Sequence, residues 1–145
     1  MAENINPDKL SKIRDYCKPE LEIELVGYDQ KTGALDLDAL AAGISGRTAA
    51  VFLENPCYLG VVEIHGDEIS RLAHEHEAIC IVSVDPISLG VHTPPADYGA
   101  DIVCGDLQPL GMHMQFGGGQ AGFIASRDEE RYCLLYTSPS PRDRS

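Results

Sequence analysis

The chain has 145 residues, 43% of them hydrophobic and 23% charged, which is typical of a globular domain rather than a disordered or collagen-like chain. Its 23 acidic and 11 basic side chains give a formal charge of −12, which argues against nucleic-acid binding and against a polybasic membrane anchor. No apolar run approaches the roughly 20 residues that cross a bilayer, and five cysteines without a CxxC pair indicate neither a disulfide framework nor a zinc knuckle.

The first predicted elements are a helix, a strand and a second helix. Asn6 and Pro7 are typical of an N-cap and a first helical position. Residues 21–26 read Leu-Glu-Ile-Glu-Leu-Val, and this strict alternation predicts a half-buried strand. The second helix is expected to open near Asp36 and to end at Gly46.

Two continuous apolar runs, 48–53 and 78–84, predict strands that are buried on both faces. A charged amphipathic helix is predicted between them at 64–77, and shorter strands at 101–104 and 122–125. Alternating strands and helices with uninterrupted apolar strands predict an α/β fold. We therefore expect three α/β/α layers around a mostly parallel sheet.

A polar residue followed by proline ends each of the two buried strands. Asn55 follows the first strand and Asp85 the second. Ligands in open α/β sheets bind beyond the carboxyl ends of the strands, so both residues are candidates for a ligand site. The alternative is that they only form turns, since Asn-Pro and Asp-Pro are common turn formers.

Other motifs carry weaker signals. Gly117–Gly122 matches GxGxxG in its letters, but a strand-like segment follows it, which favours a glycine loop beside a site or between subunits over a dinucleotide fingerprint. His74 and His76 point in different directions on a helix, and with His65 they are expected to form a solvated helix face. No metal site is predicted. Cys57 follows Asn-Pro and could face a ligand site.

The lysines are unevenly distributed. All four lie in the first quarter of the chain, at positions 9, 12, 18 and 31, and none lies among residues 32–132. An enzyme that works through a Schiff base needs a lysine at its site. The sequence therefore predicts no such lysine near the strand ends that carry Asn55 and Asp85.

The composition shifts after Tyr132. Residues 133–145 read Cys-Leu-Leu-Tyr-Thr-Ser-Pro-Ser-Pro-Arg-Asp-Arg-Ser and have no periodicity. One interpretation is a flexible polar tail. We favour the other, that the segment is the translation of a sequencing adapter, and we exclude it from the fold prediction. The native part would then be residues 1–132 and is expected to be a fragment.

Several stretches, in this order and spacing, carry a resemblance to a known family. They are Glu54-Asn-Pro56 with Leu59-Gly60; Val84-Asp-Pro-Ile-Ser-Leu-Gly90; Pro94-Pro95 with Tyr98-Gly-Ala-Asp-Ile-Val103; and Gly105-Asp-Leu-Gln-Pro-Leu-Gly111 leading into Phe116-Gly-Gly118. They resemble glycine dehydrogenase (decarboxylating), the P-protein of the glycine cleavage system, and in particular the alpha-type subunit 1 of its split form. The resemblance covers essentially all of 1–132, and a full subunit is several times longer.

The resemblance implies part of the large domain of a fold-type-I pyridoxal-phosphate enzyme. Asp85 would pair with the pyridinium nitrogen of the cofactor, and the Asn55 amide would point toward its phenolic oxygen. The cofactor lysine of a catalytic half would fall near Gln108-Pro109, where this sequence has none. The implied arrangement is that pyridoxal phosphate is bound covalently by a partner subunit, with Asp85 and Asn55 vestigial or supporting.

The resemblance also implies an oxidoreductase complex in the cytoplasm. A heterotetramer with the beta-type subunit 2 would decarboxylate glycine and pass the aminomethyl group to the lipoyl arm of the H-protein, and this chain alone would be inactive. Two alternatives stay open at this point. One is a structural or regulatory partner subunit that binds no cofactor, and the other is a different fold-type-I enzyme such as an aminotransferase.

Overall fold

The computed structural model describes residues 1–133, with the backbone alone described at Gln115, Glu130 and Cys133. The helices and strands are, in chain order, α1 (Pro7–Cys17), α2 (Leu37–Gly43), β1 (Ala50–Glu54), α3 (Gly66–Glu75), β2 (Ile79–Val84), β3 (Ile102–Asp106), β4 (Gly122–Ser126) and α4 (Glu130–Cys133). Short 3-10 turns lie at Ser88–Gly90, Pro95–Tyr98, Gln108–Leu110 and Gln115–Gly117. Helix α3 separates β1 from β2, as the sequence predicts, whereas only 3-10 turns lie between β2, β3 and β4.

The four strands form one sheet in the order β1-β2-β3-β4. The first three strands are parallel and β4 is antiparallel to β3. Glu54 lies beside Ser83, and Ser83 beside Cys104, so these three residues form a row across the carboxyl end of one sheet face. The prediction of a mostly parallel sheet is confirmed.

Side-chain caps begin the first two helices where the sequence predicts them. The Asn6 side chain accepts hydrogen bonds from the N–H groups of Asp8 and Lys9, with Pro7 at the first helical position. The Asp36 side chain accepts from the N–H of Ala39 at the start of α2. These caps satisfy amide donors that have no partner inside a helix.

The hydrophobic core lies between α3 and one face of the sheet. Val51 and Leu53 of β1 and Val82 of β2 point to this face, and Ile69 and Ala73 of α3 pack against it. Ile69 and Ala73 are fully buried. Burying an aliphatic side chain of the size of Ile69 stabilises the fold by about 1.5–3 kcal/mol.

The opposite face of the sheet is only partly covered. Phe52 and Ile81 are half-buried there, while Ile124 of β4 is exposed. Helix α1 reaches this face through Lys9, which contacts Ser83, although none of its own residues is buried. Helix α3 thus packs on one face of the sheet, and α1 contacts the other face through Lys9.

The predicted strand at 21–26 is wrong. Only Val26 makes a bridge, with Ala2, and the five residues before it are outside any strand or helix. Leu21 and Leu25 are exposed. A strand needs a neighbour that satisfies its backbone groups, and alternation of side chains says nothing about whether that neighbour is present.

The boundary predicted between residues 132 and 133 falls inside α4. Residues 134–145 lie outside the described residues, so the adapter interpretation of 133–145 stays a prediction. Across the described part of the chain, no helix combines the length and the apolar character that spanning a membrane requires.

Candidate functional site

The fold brings Asn55 and Asp85 to the same edge of the sheet. Each residue directly follows a parallel strand, and the Asn55 N–H donates to the Ser83 carbonyl of the neighbouring strand at 2.9 Å. On the third strand, the carboxyl end is marked by Asp106. The strand-end prediction is therefore correct in placing these residues along one edge.

Asp85 is exposed at this edge. Its Oδ1 accepts a hydrogen bond from the N–H of Ile87 at 3.0 Å, and its backbone carbonyl accepts from the Ser88 hydroxyl at 2.7 Å. These bonds form the tight turn that follows β2. Because an ionised carboxylate accepts several hydrogen bonds, Asp85 retains capacity for a ligand that approaches from solvent.

Asn55 has a different environment, since it is buried and its side chain is hydrogen-bonded within the protein. Its Nδ2 donates to the Glu63 carbonyl at 3.1 Å and to the Tyr98 hydroxyl at 3.3 Å. Its Oδ1 accepts from the Glu63 N–H at 3.1 Å. The amide therefore points into the protein, toward the loop that follows β1 and toward Tyr98.

The structure corrects the expectation that no lysine lies near these strand ends. Lys9 of α1 donates to the Ser83 hydroxyl at 3.0 Å and forms an ion pair with Glu54. Glu54 is buried and also accepts from the N–H of Asn6 at 2.8 Å. Sequence spacing could not reveal this contact, because Lys9 reaches the sheet from a helix 45 residues before Glu54.

The expected position of a cofactor lysine, Gln108-Pro109, lies on an exposed 3-10 turn directly after β3. The Gln108 N–H donates to Asp106 Oδ1 at 2.8 Å, and its side-chain amide donates to the Met112 carbonyl at 3.3 Å. Gln108 thus stabilises its own loop. This segment therefore has no lysine amine that could form a Schiff base with a cofactor aldehyde.

A buried polar cluster at the opposite end of the sheet was missed by the sequence analysis. Asp101, just before β3, is buried, and its Oδ2 lies 2.8 Å from His74 Nε2 and accepts from the Cys80 N–H at 2.8 Å. Its Oδ1 accepts from the Tyr132 hydroxyl, also at 2.8 Å. His74 is exposed, as expected of a solvated helix face, and it is also paired with Asp101.

Opposing effects act on the Asp101 carboxyl. Burial raises its pKa, but the Cys80 N–H, His74 and the Tyr132 hydroxyl together outweigh burial, so that the pKa lies below its usual value. Burial, reinforced by the hydrogen bond to Asp101, raises the pKa of Tyr132. The pair is therefore a carboxylate that accepts from a neutral phenol. Since it joins α3, β2, β3 and α4, its evident role is structural.

The weaker motifs do not form sites. Gly117 and Gly118 have positive φ angles and Gly122 begins β4, so no helix opens after the glycines, as expected. Within residues 1–133, no three metal-binding side chains cluster closely enough to hold an ion. Cys57 is buried, so its thiol is not open to solvent.

Comparison with known proteins identifies the family. The model of the glycine cleavage system P-protein family matches residues 1–134. The chain belongs to this family. P-protein relatives include the probable glycine dehydrogenase (decarboxylating) subunit 1 of Carboxydothermus hydrogenoformans, 44% identical over 86% of this chain. The subunit of the same name from Staphylothermus marinus is 38% identical over 88% of the chain.

Solved structures agree with the family assignment. An inhibitor-bound glycine decarboxylase (P-protein) superimposes with a TM-score of 0.76 and 32% identity, covering 86% of this chain and 27% of that one. A putative O-acetylhomoserine (thiol)-lyase from Campylobacter jejuni, solved with N'-pyridoxyl-lysine-5'-monophosphate, has a TM-score of 0.64 at 19% identity, covering 98% of this chain and 35% of that one. The fold is that of fold-type-I pyridoxal-phosphate enzymes, as predicted.

The chain spans 27–28% of the length of these two curated relatives. Its residues do not fit pyridoxal phosphate as a complete site. Asp85 offers an accessible carboxylate, but the Asn55 amide is bonded to Glu63 and Tyr98, and the segment around Gln108 has no lysine. Asp85 is thus accessible to a ligand, whereas the side chain of Asn55 is hydrogen-bonded within the protein.

Proposed function

We propose that this P-protein chain is part of the lysine-lacking alpha-type subunit of a glycine dehydrogenase (decarboxylating). The relatives named subunit 1, at 38% and 44% identity, are the observation that carries this proposal. The missing lysine at Gln108-Pro109 supports it, since a half that provides no Schiff-base amine needs a second half that does. The ion pair of Lys9 with Glu54 supports it as well, because it engages the amine of the lysine that contacts these strand ends.

In the proposed complex, a beta-type subunit 2 binds pyridoxal phosphate through its own lysine. The complex decarboxylates glycine and transfers the aminomethyl group to the lipoyl arm of the H-protein, in the cytoplasm. This chain contributes a folded α/β sheet and its interface. Asp85 offers an accessible carboxylate at the carboxyl edge, and it supports the site without carrying out the covalent step.

Reconstitution tests this proposal. The full-length subunit containing this chain would be purified alone, with a lysine-bearing homologous subunit, and with that subunit and a lipoylated H-protein. Release of labelled CO2 from carboxyl-labelled glycine is then measured. We expect no release from the first sample and full activity only from the last. The matched control replaces the lysine of the homologous subunit, which should abolish the release.

Two outcomes would contradict the proposal. The first is glycine decarboxylation by the subunit alone, which would place the covalent chemistry in this half. The second is full activity of the lysine-bearing subunit with the H-protein when the present subunit is left out. A visible-absorbance titration with pyridoxal phosphate would then show whether this half binds the cofactor without a covalent bond.

A further inference from the structure

The end of β1 is held by a buried set of hydrogen bonds centred on Asn55. The side chain is 9% exposed, and its amide has two N–H donors and one carbonyl acceptor. Both donors are used, on the Glu63 carbonyl and the Tyr98 hydroxyl, and the carbonyl accepts from the Glu63 N–H. Because Glu63 offers one backbone donor and one backbone acceptor, the orientation of the Asn55 amide is unambiguous.

Glu63 is itself fixed by other segments. It is 8% exposed, and its carboxylate accepts from the Leu35 N–H at 2.8 Å and from the His65 N–H at 2.9 Å. Leu35 forms a β-bridge with Tyr28 shortly before α2, and His65 directly precedes α3. Turning the Glu63 carboxylate toward another partner would leave the buried Leu35 N–H without an acceptor, which is strongly unfavourable.

Tyr98 is fixed by packing. Its ring lies against Gly66 so closely that a Cβ atom at Gly66 would be 2.7 Å from the ring. Burial raises the pKa of the Tyr98 hydroxyl, so it is a neutral group that can accept from the Asn55 amide. The Tyr98 turn and the start of α3 therefore hold the third partner of Asn55 in place.

We propose that Asn55 acts in this chain as an interior clamp that joins the loop at 56–63 to Tyr98, and that it is not a cofactor contact. The Asn55 clamp consists of Asn55, Glu63 and Tyr98. An amide turned toward a ligand beyond the strand ends would leave the Glu63 N–H and carbonyl unpaired in a buried site. The inference goes beyond the proposed function, since it holds whichever subunit carries the cofactor.

A double-mutant cycle on the 145-residue chain tests the clamp. The equilibrium constant for unfolding is measured by urea denaturation for Asn55→Ala, Tyr98→Phe and the double variant. We expect it to rise about tenfold for Asn55→Ala and about threefold for Tyr98→Phe, since each removes buried hydrogen bonds. The double variant should resemble Asn55→Ala alone. Gln30→Ala, which removes an exposed amide, is the matched control and should change the constant less than twofold.

An effect of the double variant equal to the product of the two single effects, about thirtyfold, would overturn the clamp, since independent groups show such products. If Asn55→Ala does not fold, Asn55→Asp carries the test, because it keeps the acceptor for the Glu63 N–H and loses both donors. In Asn55→Asp, the hydrogen-exchange rate of the Glu63 backbone N–H should then stay within threefold of wild type. In Tyr98→Phe, the hydrogen-exchange rate of the Asn55 side-chain amide should increase at least threefold. Unchanged side-chain exchange in Tyr98→Phe would contradict the proposal.

A titration of the reconstituted complex with pyridoxal phosphate, followed by visible absorbance and induced circular dichroism, separates the clamp from a cofactor role. Complexes that carry a variant at Asn55 should give the same titration curve as the wild-type complex. A tenfold weaker binding in Asn55→Asp with unchanged amide exchange at Glu63 would show that Asn55 contacts the cofactor, and it would overturn the inference.

Discussion

Replacing Asp101 with asparagine removes a charge from the centre of the buried cluster at the amino end of the sheet. The Asp101 carboxylate makes three hydrogen bonds, to the Cys80 N–H, His74 and the Tyr132 hydroxyl. An asparagine oxygen keeps one or two of them as neutral bonds. The loss of charge assistance costs about 1 kcal/mol per bond. His74 is 44% exposed, so its share is reduced by solvent. We expect a total loss of about 2–3 kcal/mol.

Urea denaturation followed by far-UV circular dichroism measures this loss. With a slope of roughly 1–3 kcal/mol per molar urea, the unfolding midpoint of Asp101→Asn should fall by roughly 0.7–3 M at pH 7. The difference should also depend on pH. Because the folded-state pKa of Asp101 lies below the unfolded value of 3.8, the contribution of the carboxylate is fully present above that value and is lost as pH falls through the folded pKa.

The matched control is Asp15→Asn, which removes an exposed carboxylate from α1 and should change stability by at most about 0.5 kcal/mol. An Asp101→Asn variant whose midpoint matches this control would refute the assignment of the cluster as a structural hub. So would a stability difference that is as large at pH 3 as at pH 7, since the charge would then not be its source.

Two further substitutions test the packing at the carboxyl edge. Gly66→Ala should destabilise the fold by about 1–3 kcal/mol, because the new Cβ would press on the Tyr98 ring. Lys9→Met should lower the free energy of unfolding by about 1–2 kcal/mol, because it leaves the buried Glu54 without its cation. Solvent screening limits this loss, since Lys9 is 42% exposed. Thermal unfolding of each purified variant measures both effects.

Each of these substitutions has a control in the same chain. Gly43→Ala, at the end of α2 with open space around its Cβ position, should raise stability by up to about 1 kcal/mol. Lys12→Met removes an exposed lysine from α1 and should be nearly neutral. Equal effects of Gly66→Ala and Gly43→Ala would argue against the Tyr98 contact. A Lys9→Met variant as stable as Lys12→Met would argue against the ion pair as an anchor of α1.

Local sequence signals predict the fold well where one residue decides the outcome. Asn6 and Asp36 cap helices because their side chains bond the first N–H groups of the same segment. The apolar runs that become β1 and β2 predict these strands correctly, because burial of apolar side chains in a sheet does not require one specific partner. The segment 21–26 shows the limit, because its alternation is strand-like and yet only Val26 finds a partner. Strand pairing depends on distant residues, which a local pattern does not contain.

The sequence predicts where the candidate site lies, but it does not predict which contacts the site residues make. Asn55 and Asp85 do lie at one edge of the sheet, because carboxyl ends of parallel strands meet there. The loop after β1 folds back onto Asn55, and this is why Asn55 is hydrogen-bonded to Glu63 while Asp85 is exposed. One signal was available, since Glu63 is an acidic residue inside the apolar run Val-Val-Glu-Ile, and such a residue is either exposed or paired. The contact of Lys9 had no such signal.

The central claim is that this chain provides no amine to pyridoxal phosphate and that a partner subunit does. Borohydride reduction of the reconstituted complex in the presence of pyridoxal phosphate, followed by peptide mapping, fixes the cofactor to the lysine that held it. We expect pyridoxyl-lysine in the partner subunit and none at Lys9, Lys12, Lys18 or Lys31 of this chain. A stoichiometric pyridoxyl group on Lys9, the lysine beside Glu54 and Ser83, would contradict it.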